Sequence, residues 1–540
     1  MVCDKGLLVV VVLAVVLNGL GLWWGLPLSG IHAWDVDGIA PLGPLIAAKR
    51  MLFDDWWNSG YYNKYPMGQF FILMAAYAPY VGYLWLSGGL RNPSDVYPFG
   101  FTDPETALTV LSLIARGINA VMGVGIVVLV YVTARQLAGR RAAFFSALTV
   151  ALSPAFIFYA HTGNVDTPSL FWSALALFAF GRLIAGQCAL RNYLVLGAAV
   201  GMAAATKEQT APLFLLVPLS VVILHARHAE AARRLDRAIV RSVVDRKLLG
   251  GLAIAIATFV TATHLIFNWH GSMLHFQWRL HGIHPIYGTE YPGSGREVDG
   301  GVDALREVAS VTADAMNPAL FVAAVAGLAV LPLRYSWARH LVLPLVSYVA
   351  WVGVVSPLPF FRARFVMEVI LVLAFFVGPV LGSLWAFGVE RSRLLTAGVA
   401  LVLVYSAVYG AEVNYLLVRD TRYAAEAWLA SDVPPGATVE AFSGPTYLPR
   451  FPHHVKVRYH LDLTSAELEG LEERSPDFLV LSSAYSRRFD EDSEDGALLA
   501  RLLRGDFGYQ PVRTFRRDPW LSPRMIAGLS PEILVLANHR

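Results

Sequence analysis

Gly6-Leu-Leu-Val-Val-Val-Val-Leu-Ala-Val-Val-Leu-Asn-Gly-Leu-Gly-Leu-Trp-Trp-Gly-Leu-Pro-Leu28 is followed almost at once by Ile31-His-Ala-Trp-Asp-Val-Asp-Gly38. The first stretch is long enough to cross a bilayer, which takes about 20 predominantly apolar residues. Carboxylates at the mouth of a membrane helix are costly to desolvate, so Asp35 and Asp37 point to chemistry or ion binding rather than packing. Lys5 is the one basic residue before the run, and no convincing small-residue cleavage site closes it. A retained first helix with a cytoplasmic N-terminus is therefore expected.

The rest of the chain repeats the theme. Of its 540 residues 56% are hydrophobic and only 15% are charged. Apolar runs at about 6–28, 112–134, 142–160, 169–186, 192–207, 210–226, 248–268, 316–333, 341–357, 366–388 and 394–413 predict about eleven spanning helices. Alternate gaps are basic: Arg135, Arg140 and Arg141; Arg182 and Arg191; the run from Arg227 to Lys247; Arg334 and Arg339; Arg391 and Arg393. The positive-inside rule puts these in the cytoplasm, which leaves residues 29–111, 269–315 and 414–540 outside. Met67–Leu86 is apolar enough to be a further span, but it contains Pro79 and would reverse every later loop. A helix lying in the outer interface is the expectation there. Cys3 and Cys188 make no disulfide framework. No phosphate-binding loop appears, and Gly123-Val-Gly125 lies inside an apolar helix without the strand and third glycine of a dinucleotide site. The net charge of +3 says little, because in a membrane protein the distribution of Lys and Arg matters more than the total.

The tail from Asn414 changes character. Strand-like runs at Ala437–Phe442, Phe478–Ser482 and Glu532–Ala537 alternate with helical stretches such as Arg422–Ala430 and Glu467–Arg474. The expected architecture is a mainly α polytopic membrane protein: a transmembrane region over 1–413 and a small extracytoplasmic α/β domain over 414–540.

Along the chain stand Trp34-Asp-Val-Asp-Gly38, Tyr62-Asn-Lys-Tyr-Pro66, Ala115-Arg-Gly-Ile-Asn119 opening a helix, Ser153-Pro-Ala-Phe-Ile-Phe-Tyr159, Val165-Asp-Thr-Pro168, Ala205-Thr-Lys-Glu208 and Phe361-Arg-Ala-Arg-Phe365. The tail adds Arg422-Tyr-Ala-Ala-Glu-Ala-Trp-Leu429, Val433-Pro-Pro-Gly436 and Pro476-Asp-Phe-Leu-Val-Leu-Ser-Ser483. In these motifs and their order the chain resembles the GT-C superfamily of membrane glycosyltransferases, and within it the family 39-like branch of protein O-mannosyltransferases and lipid A aminoarabinose transferases. The family often has two adjacent acidic residues in the first outer loop, whereas here Val36 separates them.

The resemblance implies an inverting enzyme of the plasma (inner) membrane that moves a sugar from a polyprenyl-phosphate carrier to an acceptor hydroxyl at the outer face. The acceptor would be a glycan, lipid or protein, and nucleic acid has no part. The acceptor hydroxyl needs a base, and the departing phosphate needs positive charge but no strong proton donor. Asp35 or Asp37 fits the base, with capping of the following helix as the alternative for one of them. Lys207, Arg362 and Arg364 are expected on the donor phosphate; for Lys207 the alternatives are pairing with Glu208 or snorkelling to the surface. Arg362 and Arg364 lie on the outer side, where the positive-inside rule calls for no arginine.

His161, Asp166, Glu208, His281 and His284 are candidates for the acceptor or a metal. Asp166 is also placed to cap the fourth span, with Pro168 in its first turn. His270, His275, His281 and His284 lack the fixed spacing of a zinc site, so acceptor binding or no role is the better reading. Tyr62 and Tyr65 could stack on a sugar or anchor in the interface. A divalent metal ion is the candidate cofactor. A transporter or lipid-carrier flippase is the alternative function, but such proteins usually bury charge near midplane on broken helices, and here it gathers at one face.

Overall fold

A computed structural model describes residues 4–27, 33–35, 37–57, 60, 64–230, 245–279, 301–352, 362–460, 465–486, 494–521, 526 and 528–539. Among them six helices are long and apolar enough to cross a membrane: Gly68–Ser87, Pro104–Ala151, Asp166–Ile184, Glu208–His225, Met367–Arg391 and Arg393–Asp432; Lys5–Gly19 and Pro318–Arg334 are shorter apolar helices.

Lys5–Gly19 is capped by Asp4, whose carboxylate accepts from the Gly6 N–H at 3.1 Å. It is shorter than the apolar run, because Gly21 and Gly25 take φ of 106° and 51° and turn the chain before Leu28. Such values suit glycine. Beyond Gly25, Trp34 packs so closely that a Cβ there would lie 2.4 Å from its ring.

Pro104–Ala151 is two helices meeting at Gly139, whose φ of 87° and ψ of 178° are not helical. Its start is fixed by Asp103, which accepts from the Thr106 N–H at 3.1 Å, with Pro104 behind it in the first turn. Ala115-Arg-Gly-Ile-Asn119 therefore lies within this helix and does not open it. Beside the kink Arg135 and Arg140 reach Asp4 at 3.1 and 2.7 Å. Met367–Arg391 forms the centre of the bundle, buried without a break from Met367 to Gly378. Gly197 and Gly201 let their helix approach Arg246–Ala262 so closely that a Cβ at Gly197 would lie 2.0 Å from the Gly251 carbonyl oxygen.

The described residues between Asp37 and Thr109 are tied together near the acidic loop. Lys64 reaches Asp37, Arg50 reaches Asp95 at 3.1 Å, and the Thr109 hydroxyl donates to the Pro27 carbonyl at 2.7 Å. The chain on both sides of Gly68–Ser87 thus remains near the acidic loop, although this helix has the length of a span.

After Arg393–Val418 a sheet is built from β1 (Thr438–Phe442), β2 (Lys456–His460), β3 (Phe478–Ser482), β4 (Tyr509–Phe515) and β5 (Ile533–Asn538), in the order β2-β1-β3-β5-β4. The first three strands are parallel, and β5 runs antiparallel to β3 and β4. One apolar layer joins the sheet to Thr421–Asp432 through Ala425 and Leu429; another holds Leu468, Leu471, Leu498 and Leu502.

Candidate active site

The acidic loop is held against the bundle by its backbone and by one arginine. Ile39 and Ala40 donate to the Gly163 carbonyl, each at 3.1 Å. In return the Gly163 N–H donates to Asp35 Oδ2 at 2.7 Å. Arg116 donates from Nη2 to Asp35 Oδ1 at 2.6 Å and from Nε to Oδ2 at 3.4 Å. Its Nη1 serves the Leu22 carbonyl at 2.8 Å and the Trp24 carbonyl. Arg116 is wholly buried, and Asp35 nearly so. One turn along the same helix face, Asn119 donates to the carbonyls of Thr162 and Asn164 at 2.7 and 2.9 Å and fixes the turn that carries Gly163.

Asp37 faces a different set of cations. Lys64 Nζ lies 2.6 Å from Oδ1 and Arg364 Nη1 2.5 Å from Oδ2. Burial works against its ionisation, but Arg364, Lys64 and Arg362 outweigh burial and hold its carboxyl well below the usual carboxylate range.

Behind Asp37 the network continues inward. Arg364 donates to the Tyr65 hydroxyl, and its Nε lies 3.7 Å from Asp166 Oδ1. Lys207 Nζ donates to the same Asp166 oxygen at 2.7 Å, with both side chains buried. Asp166 Oδ2 has no hydrogen-bond partner among the described residues. Asp166 does not cap its helix: the Asp166 N–H is taken by Asn164 Oδ1 at 3.2 Å, and the carboxylate turns to Lys207. Lys207 in turn pairs with Asp166 and not with its neighbour Glu208. Glu208 accepts from His275 and, at 3.0 Å, from Arg279.

Asp35, Asp37, Lys64 and Tyr65 line a cavity of about 400 Å³ that Thr446 of the C-terminal region also borders. Tyr65 forms part of a second, largely apolar pocket with Trp56, Glu208, Phe259, His264 and His275. It therefore stands between a charged chamber and an apolar one. His161 is apart from both, buried between the Ile157 and Leu20 carbonyls at 2.7 and 3.0 Å. Tyr62, His281 and His284 lie outside the described residues. Arg116, Asn119 and Lys64 had no expected role, yet an arginine inside an apolar helix is costly enough to mark a buried partner.

Residues 108–267 match the family model described as dolichyl-phosphate-mannose-protein mannosyltransferase. The match bears out the GT-C resemblance read from the motifs. No curated protein matches the chain. Among solved structures, the Archaeoglobus fulgidus oligosaccharyltransferase tethered with an acceptor peptide is similar at 15% identity and TM-score 0.47, over 90% of this chain and 70% of that one. A structure of the same enzyme is a complex with Zn and sulfate. ArnT from Cupriavidus metallidurans, bound to undecaprenyl phosphate, is similar at 14% identity and TM-score 0.44, over 99% and 98% of the two chains. The S. cerevisiae Pmt1-Pmt2 complex bound to the sugar donor gives 18% identity and TM-score 0.33, over 50% and 35%. At such scores the functional reading rests on the site itself and on the family match.

Proposed function

We propose that this protein is an inverting glycosyltransferase that moves a sugar from a polyprenyl-phosphate carrier to an acceptor hydroxyl at the outer membrane face. The observation that carries the reading is Tyr65, which borders both the chamber of Asp35, Asp37 and Lys64 and the apolar pocket beside it. An amphipathic donor needs such a pair of environments, a polar one within reach of Lys64 for its phosphate and an apolar one for its chain.

Asp35 serves as base. Arg116 and Gly163 fix its orientation, and a positioned base is what deprotonation of a hydroxyl requires. Asp37 instead gathers Lys64 and Arg364. The acceptor O–H proton passes to Asp35 as the acceptor oxygen bonds to the anomeric carbon. The bond from that carbon to the phosphate oxygen breaks, and its electron pair leaves with the lipid phosphate. Arg364, Lys64 and Arg362 stabilise the charge that develops there. Asp166, buried behind Asp37, holds Lys207 and lies beside Arg364, and Tyr65 offers a ring face to the sugar.

A divalent metal ion does not fit this donor set. Asp35 is paired with Arg116, Asp37 with Lys64 and Arg364, and Asp166 with Lys207. No group of three metal-ligating side chains occurs among the described residues.

The test is incubation of purified protein with a panel of polyprenyl-phosphate sugars, followed by mass spectrometry of lipid, glycan and peptide acceptors. Glycosylated product is expected. Movement of labelled carrier across proteoliposomes without product would favour the flippase reading instead.

A further inference from the structure

We propose that Arg422 is a positioning residue for Asp35, acting through Trp34, so that the C-terminal region holds the base in place. The proposal rests on the glycosyltransferase reading above.

Trp34 immediately precedes Asp35 and is 1% exposed. Its backbone N–H donates to the Gly25 carbonyl at 2.9 Å. Its indole N–H has no partner among the described residues. The ring is therefore placed by its faces and edges alone. The Arg422 guanidinium lies 3.9 Å from the ring centroid and that of Arg450 4.9 Å away. Tyr423 and Trp24 close the remaining sides, with ring centroids 4.9 and 6.0 Å away. A flat, delocalised cation suits an aromatic face in a way that a point charge does not.

Arg422 is itself held on every side. Asp420 receives its Nε and Nη2 at 2.9 and 2.8 Å, the Thr446 carbonyl receives Nη1 at 2.9 Å, and the Gly528 carbonyl receives Nη2 at 2.7 Å. Asp420 also accepts the Trp24 indole N–H at 2.9 Å. Arg450 is fixed by two hydrogen bonds to Glu426, both at 2.6 Å, and by the Leu26 carbonyl at 3.0 Å. The joint thus ties the exit of the first helix, the acidic loop and the start of the C-terminal region into one piece. None of these C-terminal side chains is needed to neutralise Asp35, which already has Arg116. Their effect on it is geometric: a base displaced by about 1 Å can lose about 100-fold in rate.

The experiment compares Arg422→Lys, Trp34→Phe and Trp34→Leu in the full-length protein, using a polyprenyl-phosphate sugar and an acceptor that the wild type converts. Arg422→Lys keeps the charge beside Asp420 and loses the flat face. Its kcat should fall by about 10- to 100-fold, with KM for donor and acceptor within about twofold of wild type, since only the placement of the base has changed. Trp34→Phe should retain most of kcat, and Trp34→Leu should lose as much as Arg422→Lys. Unchanged kcat in Arg422→Lys, or equal turnover in Trp34→Phe and Trp34→Leu, would overturn the clamp while leaving the enzyme reading intact. If Arg422→Lys does not fold, the two Trp34 variants decide the matter alone. A wild type that transfers no sugar from any donor overturns both readings.

Discussion

Arg116 and Asp35 are joined at 2.6 Å with the arginine side chain wholly buried and the carboxylate 3% exposed. This pair makes Asp35→Asn a less simple probe of a base than its isosteric shape suggests. The amide removes the proton acceptor and also leaves Arg116 as a buried charge without its partner. Breaking a buried pair from one side typically costs about 3–5 kcal/mol. Asp35→Asn should therefore lose both turnover, by about 100- to 10,000-fold, and thermal stability. Asp35→Asn combined with Arg116→Met should regain stability but not turnover. Recovery of turnover in the double variant would show that Asp35 serves only to neutralise Arg116.

The cations around Asp37 and Asp166 should separate into two behaviours. Arg364→Ala is expected to weaken donor use more than acceptor use, since an arginine can grip phosphate through two hydrogen bonds at once. Lys64→Ala should act in the same direction, and more mildly because its side chain is 40% exposed. Lys207 is different: it is buried against Asp166, so Lys207→Ala takes away that carboxylate's 2.7 Å partner, leaves Arg364 at 3.7 Å, and should lower the yield of folded protein. Lys207→Ala with Asp166→Ala should restore that yield. Donor KM for each purified variant, set beside its thermal midpoint, checks the division; an unaltered donor KM in Arg364→Ala would remove it from the phosphate.

Much of the frame was legible in the sequence because lipid enforces a length rule. Pro318–Arg334, Met367–Arg391 and Arg393–Val418 lie where apolar runs put spans. The rule reports only the apolar part of a helix, so it places a start at about residue 112 for the helix that begins at Pro104, although Asp103-Pro104 carries its own start signal. Strands β1, β3 and β5 were readable as apolar runs. The edge strands β2 and β4 were not, because most of their residues are exposed, among them Lys456, Arg458 and Arg513. At the site, residue types were legible and partners were not. Lys207 has Glu208 beside it in sequence, yet meets Asp166, 41 residues away.

The contacts at the two ends of the bundle fix a topology test. Asp4 meets Arg135 and Arg140 at one end, while Arg450 reaches the Leu26 carbonyl at the other. We propose, from the basic gaps, that the first end is the cytoplasmic one. In a background with Cys3 and Cys188 replaced by serine, His453→Cys should react with an impermeant maleimide on intact cells. Arg135→Cys should react only after permeabilisation. Both side chains are well exposed, at 81% and 56%, so access through protein does not confuse the result. Labelling of both from the same side would sink the assignment.

A last prediction concerns the C-terminal sheet and acid. Glu440 on β1 accepts from Arg474 Nε at 2.6 Å and Nη2 at 2.9 Å, and lies 2.9 Å from His460 Nε2. Burial works against ionisation of Glu440, but Arg474 and His460 outweigh it and hold the carboxyl below its ordinary value. A carboxyl whose folded pKa is depressed adds stability that is fully present above the unfolded value, about 4.3 for Glu, and is lost as pH falls through the folded one. The wild type should accordingly keep this contribution down to mildly acid pH. Arg474→Met removes the largest opposing influence, so burial should then dominate and push the carboxyl upward. A carboxyl whose folded pKa lies above its unfolded value binds its proton more tightly in the folded state, so the Tm that Arg474→Met loses at neutral pH should be partly regained as the pH falls through that raised value. Glu440→Gln combined with Arg474→Met should abolish that regain, since no carboxyl remains to titrate there. A Tm deficit in Arg474→Met that does not shrink on acidification would mean that His460 alone still holds Glu440 ionised.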